Sequence, residues 1–187
     1  MPIRQGSIDG LCGVYSVMNA TEAVIGKFHY DRKLGRKASQ RKVLFKKLIG
    51  YLAKQDMLEE AMIWGFENID AKGGSIDIAV KSVKRYQKRK LRKEIAFDTD
   101  EVTLDVYWEK LTEHLSRPGS AVIICLSGLI KHWTCVRRIT PSVMILSDSS
   151  GIRRIARDRC TVSTGRGDLY ILWPTLTYFL STEEKND

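Results

Sequence analysis

The stretch CGVYSVMNATEAVI, residues 12–25, predicts the first helix of the chain. Its less polar residues recur at a spacing of three to four, which is the spacing of one helical face: Val14, Val17, Met18, Thr21 and Val24. Gly26 follows directly and is the expected stop, because glycine readily ends helices. Cys12 therefore lies at the N-terminus of this predicted helix.

Further helices are predicted after it. They cover residues 38–54, which form a basic amphipathic pattern, then 58–66, 76–93 and 104–115. The segment KGGS (72–75) reads as a break, with Ser75 as the N-cap of the helix that follows. The segment RPG after residue 115 ends the last of these helices.

The second half of the chain changes to short apolar runs rich in β-branched residues. About five strands are predicted: 120–128, 132–139, 142–148, 151–156 and 167–174. Helices first and strands second indicate the α+β class, with the first helix packed on a C-terminal antiparallel sheet.

Length and composition are those of one globular domain over residues 1–187, of which 43% are hydrophobic and 28% charged. No run of eighteen apolar residues occurs, so no membrane span is predicted. The opening MPIRQGS lacks the apolar centre of a secretory signal, and we expect a cytoplasmic location.

The positive charge is clustered. The formal net charge is +9, and residues 27–54 and 81–93 hold eighteen of the 31 lysines and arginines. Such a surface attracts polyanions, so an acidic protein or a nucleic acid is a candidate partner. The alternative is that these residues only form solvated helical faces.

The cysteines argue against a metal site and a disulfide framework. The four cysteines have no CxxC spacing, and the chain has only three histidines. Cys125 and Cys135 lie in apolar strand patterns and are expected to be small buried side chains. We therefore predict no metal and no cofactor.

Cys12 is the candidate nucleophile. The thiolate is the reactive form of cysteine, and the N–H groups at a helix N-terminus stabilise an anion. Gly13, which follows it, would let a substrate approach closely because it has no side chain. The backbone N–H of Cys12 and the side-chain amide of Gln5 are candidate donors to an oxyanion.

A base and an orienting acceptor are found in the strand region. His29 lies in a polar segment, and His114 is expected at the surface late in a helix, whereas His132 opens a strand. Asp148 closes the next strand, and a hairpin centred on Thr140 would bring it to the same sheet edge as His132. The alternative is that Asp148 is only a turn residue, because SDSSG is a common turn composition. Such an acceptor fixes the tautomer of a catalytic imidazole.

Trp133 follows His132 directly. Its side chain either flanks the sheet or lines a substrate cleft, and the sequence leaves both possibilities open.

The order Gln, then Cys-Gly opening a helix, then a distant His-Trp strand, then Asp closing the next strand resembles the papain-like cysteine peptidase superfamily. The compact bacterial branch related to double-glycine leader peptidases, which process bacteriocins, is the most similar. The resemblance covers residues 3–24 and 120–151, which is under a third of the chain.

The resemblance implies a papain-like fold with Cys12 as nucleophile, His132 as base and acid, Asp148 as orienting residue and Gln5 as oxyanion donor. Residues 27–100 have no counterpart in that branch and are expected to be a basic helical insertion. In this chain a serine rather than a proline follows the aspartate. The double-glycine preference is not carried over.

Three functions remain open from the sequence. The first is a cysteine peptidase or isopeptidase that acts through an acyl-enzyme. The second is a transglutaminase-like acyltransferase, in which an amine replaces water. The third is a catalytically silent module that binds a polyanion or a protein partner on the same scaffold.

Overall fold

The structure is a computed structural model that describes residues 11–26, 28, 40–64, 69–87, 90–165 and 168–182. The described residues form five α-helices: α1 (Cys12–Ile25), α2 (Gln40–Lys54), α3 (Leu58–Trp64), α4 (Ile69–Gln87) and α5 (Leu104–Ser116). They also form eight strands: β1 (Leu91–Ile95), β2 (Ser120–Gly128), β3 (His132–Ile139), β4 (Val143–Leu146), β5 (Arg154–Ala156), β6 (Cys160–Val162), β7 (Tyr170–Leu172) and β8 (Tyr178–Thr182).

The strands form one mixed sheet that is mostly antiparallel. Its order is β1-β8-β2-β3-β4-β5, with antiparallel pairing between all neighbours. The first half of β2 pairs with β8 and the second half with β7, and β6 adds to β7 in parallel. The predicted α+β class and antiparallel sheet are confirmed, except for this one parallel pair.

Helices cover both faces of the sheet. Alternate residues of β2 belong to two separate apolar clusters. Ala121, Ile123 and Cys125 face the cluster that α1, α2 and α4 complete. Val122, Ile124 and Leu126 face the cluster that contains residues of α5. Burial on both faces explains why β2 is a continuous apolar run rather than an alternating one.

Helix α1 is almost entirely enclosed between the sheet and the other helices. Val14, Val17 and Ala20 are fully buried, and the helix packs on β2 and β3. It ends at Gly26, whose φ is 80°. The predicted bounds and sheet contact of the first helix are confirmed, and its N-terminus is held against β3.

The predicted break at 72–75 is wrong, since α4 runs through it. Ser75 is buried inside the helix and does not cap one. The glycines serve packing instead: a Cβ on Gly74 would lie 1.9 Å from the hydroxyl oxygen of Tyr51 on α2. Gly74 thus lets Tyr51 of α2 approach α4 closely.

The predicted helix over 76–93 also ends too late. Residues 91–95 form β1, an edge strand paired with β8, with Leu91 opposite Thr182. Lys93 Nζ lies 2.6 Å from Asp77 Oδ1, and charged side chains are common on edge strands because they oppose further pairing. The basic segment 27–100 is therefore not purely helical, because it supplies one strand of the sheet.

Gly128 lies where there is no room for a Cβ atom. Its φ is +81°, and a Cβ there would lie 2.2 Å from the backbone oxygen of Leu169. We predict that Gly128→Ala lowers the free energy of unfolding by about 2 kcal/mol or more, measured by urea denaturation. Gly50→Ala is the matched control: its Cβ meets nothing within 4 Å, and helix propensity predicts a gain of about 0.5–1 kcal/mol. Equal stabilities of the two variants would contradict this assignment.

Within the part of the chain that the structure describes, every helix is too short or too polar to cross a membrane.

Candidate active site

Cys12 is the first residue of α1 and is 2% exposed. Leu11 occupies the N-cap position and supplies no side-chain cap, and the first turn carries no acidic residue. The first N–H groups of a helix have no acceptor within the helix. The thiol is thus placed where backbone donors and the helix dipole favour a negative charge.

The start of β3 lies against this helix end. The backbone N–H of Trp133 donates to Cys12 Sγ over 3.4 Å. The ring of His132 also hydrogen-bonds the Cys12 side chain. Because α1 packs on β3, the candidate nucleophile and the candidate base are held by two packed elements rather than by loops.

Asp148 reaches His132 across the β3–β4 hairpin. Val136 pairs with Leu146, and the register shifts at a bulge before Arg138. Asp148 therefore lies diagonal to His132. A turn centred on Thr140 would have placed the two residues directly opposite each other. The diagonal is within side-chain reach, and His132 Nε2 lies 2.5 Å from Asp148 Oδ1. His132 and Asp148 therefore meet as predicted, but the pairing of β3 with β4 is shifted by two residues from the predicted register.

The second carboxylate oxygen of Asp148 is held by the turn that follows it. Oδ2 accepts hydrogen bonds from the backbone N–H of Ser150 over 2.7 Å and of Ile152 over 3.1 Å. Gly151 lies between them with a φ of +96°, a conformation that suits glycine. Asp148 is thus both a turn residue and the acceptor for His132, and its carboxylate has a fixed orientation.

The electrostatics of the pair favour a charged imidazole. Burial lowers the pKa of His132, but the hydrogen bonds to Asp148 and Cys12, with the charges of both, raise the pKa to about 9. Burial opposes ionisation of Asp148, yet the hydrogen bond and charge of His132 hold the pKa of that carboxyl below its usual range. His132 is therefore a cation near neutral pH, bound to an ionised Asp148.

These positions define what the site can do. Nε2 of His132 is engaged by Asp148, which leaves Nδ1 for Cys12. A buried thiolate needs a compensating cation, and the imidazolium beside it supplies one. The arrangement can hold a thiolate–imidazolium pair and can transfer a proton between sulfur, ring nitrogen and a bound group.

Replacement of Asp148 by asparagine is expected to destabilise the fold in a pH-dependent way. The raised pKa of His132 contributes stability that is full below about 6.5 and is lost as the pH rises through about 9. We predict that Asp148→Asn lowers the free energy of unfolding by about 1.5–3 kcal/mol near pH 6. The difference from the wild type narrows toward pH 9. Urea titrations across this range would measure it, and a difference that is constant with pH would contradict the assignment.

The remaining predicted site residues are placed differently. The side chain of Trp133 is 1% exposed and packs in the apolar core, 6.4 Å from the ring of Tyr178. Its backbone N–H contacts Cys12, and the burial of its side chain favours core packing over a position in a cleft wall. Gly13 is buried in the first turn of α1, where its carbonyl accepts a hydrogen bond from Ser16. Gln5 and His29 lie outside the described residues.

His114 was expected at the surface, and that prediction is wrong. It is buried, its Nε2 lies 3.0 Å from the Leu180 carbonyl oxygen, and its ring stacks on Phe179 at 4.0 Å. Burial lowers the pKa of His114. The helix periodicity that buries Leu111 also turns His114 toward the sheet, so it joins α5 to β8.

The other cysteines have structural positions. Cys125, Cys135 and Cys160 are buried, and none is in a disulfide, which confirms the expected burial of the first two. Burial raises the pKa of both Cys135 and Cys160 to about 12. Among the described residues, no group of three or more His, Cys, Asp or Glu side chains could hold a metal ion.

Two features of the site were missed by the sequence reasoning. The Trp133 N–H contact with sulfur has no sequence signal, because any residue supplies a backbone donor. The hydrogen bonds from the backbone N–H groups of Ser150 and Ile152 to Asp148 did have a sequence signal. An aspartate followed by small polar residues and a glycine is typical of a turn in which the carboxylate binds backbone donors.

Comparison of the chain with protein-family models, with curated proteins and with solved structures gives no match.

Proposed function

We propose that the protein is a cysteine peptidase or isopeptidase with a papain-like fold. The observation that carries this proposal is the hydrogen-bond chain from Cys12 through His132 to Asp148. A nucleophile, a base and an orienting acceptor in that order are the recurring unit of acyl-transfer catalysis. The packing of a cysteine-bearing helix N-terminus against the start of β3, a central strand of the mostly antiparallel sheet, supports the same proposal.

The first half of the proposed reaction forms an acyl-enzyme. The Cys12 thiolate attacks the carbonyl carbon of the scissile amide, and the electron pair of the C=O bond moves to oxygen. Donors at the N-terminus of α1 stabilise the resulting oxyanion, and Gln5 remains a predicted further donor. The C–N bond then breaks, His132 gives its proton to the leaving amine, and a thioester on Cys12 remains.

The second half releases the acyl group. Neutral His132 takes a proton from water, and the hydroxide adds to the thioester carbonyl carbon. The C–S bond breaks, which frees the carboxylic acid product and restores the thiolate beside the imidazolium. Asp148 does not change its protonation state. It orients the ring and stabilises its positive charge in both halves.

The proposal is tested by digestion of a proteome-derived peptide library and of lysine-linked isopeptides near neutral pH, with the wild type and with Cys12→Ala. We expect new peptide termini from the wild type alone. A parallel reaction with excess amine separates hydrolysis from acyl transfer, because transfer adds the mass of the amine to the new carboxyl end. Identical products from the two proteins, or no product from either, would contradict the proposal.

A further inference from the structure

A groove between α2 and α4, on the helical layer of the molecule, takes no part in the site above. It has a volume of about 370 Å³ and is lined by seven residues of these two helices. Tyr51 and Ile78 supply apolar surface, and both are only partly buried. The groove exists because Gly50 and Gly74 carry no side chain: the first leaves one wall open, and the second lets Tyr51 pack against α4.

Three lysines line this groove: Lys47, Lys54 and Lys81. Among the residues that the structure describes, no acidic residue lines it. Lys47 Nζ lies 3.3 Å from the hydroxyl of Ser82. In the described part of the chain, neither Lys54 nor Lys81 forms an ion pair with a carboxylate, and both are exposed. Asp77 of α4 is engaged by Lys93 instead. Lys54 and Lys81 therefore place positive charge beside an apolar floor.

We propose that this groove binds an acidic segment of a protein partner. An apolar side chain of the segment would lie on Tyr51 and Ile78, and flanking carboxylates would contact Lys54 and Lys81. Charge complementarity selects the acidic partner, and the apolar floor selects a peptide over a nucleic acid. A phosphate backbone would use the lysines but leave that floor uncovered.

The test uses a fluorescein-labelled peptide of glutamates with leucines at every third or fourth position, and fluorescence anisotropy as the readout. We expect binding that weakens as salt rises and that falls roughly tenfold or more in K54E/K81E. The same peptide with serine for leucine is expected to bind more weakly. Circular dichroism verifies that each variant is folded.

The matched control is R138E/R154E, which makes the same change in net charge. These arginines are exposed on β3 and β5 and flank Ile145 in the sheet register, away from the two helices. We expect its affinity to stay within about twofold of the wild type. Cys12→Ala is expected to bind the peptide unchanged, which separates this proposal from the proposed catalytic function.

Four results would overturn the inference. They are the absence of peptide binding, an equal loss in the two double variants, a loss of binding in Cys12→Ala, and tighter binding of an oligothymidylate through Lys54 and Lys81 than of the peptide.

Discussion

His132→Ala is expected to slow the alkylation of Cys12 by iodoacetamide about 10- to 100-fold at pH 6. An unassisted thiol with the ordinary pKa near 8.5 is only about 0.3% thiolate at that pH. A thiolate paired with imidazolium is far more populated, although each paired thiolate is a weaker nucleophile. Intact-mass measurement of the labelled protein gives the rate. Burial raises the pKa of Cys135 and Cys160 to about 12, which disfavours their alkylation.

The same experiment at pH 9 controls for access to the sulfur. At that pH an unassisted thiol is mostly ionised, so the rates of the wild type and His132→Ala should converge. A ratio that does not change between pH 6 and pH 9 would mean that His132 affects access rather than ionisation. Cys12→Ala should remain unlabelled at both values.

Trp133→Ala is expected to cause the largest loss of stability, about 3–5 kcal/mol in the free energy of unfolding. Trp133 has the largest side chain among the fully buried residues that the structure describes. Its removal leaves a cavity between α1 and the sheet. Urea denaturation with an unchanged m-value would measure the loss. Trp133→Phe, which keeps an aromatic ring, should lose clearly less. A loss below about 1 kcal/mol in Trp133→Ala would place this side chain outside the core.

The parts of the fold that the sequence predicted are those with strong local patterns. The helix from Cys12 to Ile25 has a clear apolar periodicity and a glycine at its end, and α5 has a similar pattern. The meeting of His132 and Asp148 followed from the lengths of two strands and the turn between them. The register could not be predicted, because it depends on a bulge before Arg138 that has no sequence mark.

The parts that could not be predicted depend on tertiary packing. Strand β1 has the sequence LRKEI and looks like the end of a basic helix, and only its pairing with β8 makes it a strand. Strands β6 and β8 were not among the five predicted strands. Strand β6 has only three residues, and β8 pairs with the same side of β2 as β7 does. The glycines of α4 resembled a break because their role lies in the Tyr51 contact.

The site was predictable in its residue types and not in its supporting contacts. Cys12, His132 and Asp148 were selected by position on predicted elements, and the structure brings these three together. The backbone donors to sulfur and to the carboxylate arise from the folded chain. They explain why the pair is fixed, but side-chain identities alone do not encode them.

The charge state of His132 tests the central claim most directly, and an NMR titration of its imidazole resonances would measure it. We predict a titration midpoint of about 9 in the wild type and a lower midpoint in Cys12→Ala, because the hydrogen bond and charge of Cys12 stabilise the imidazolium. A midpoint at or below 6.5 in the wild type, or one that Cys12→Ala leaves unchanged, would contradict a thiolate–imidazolium pair at this site.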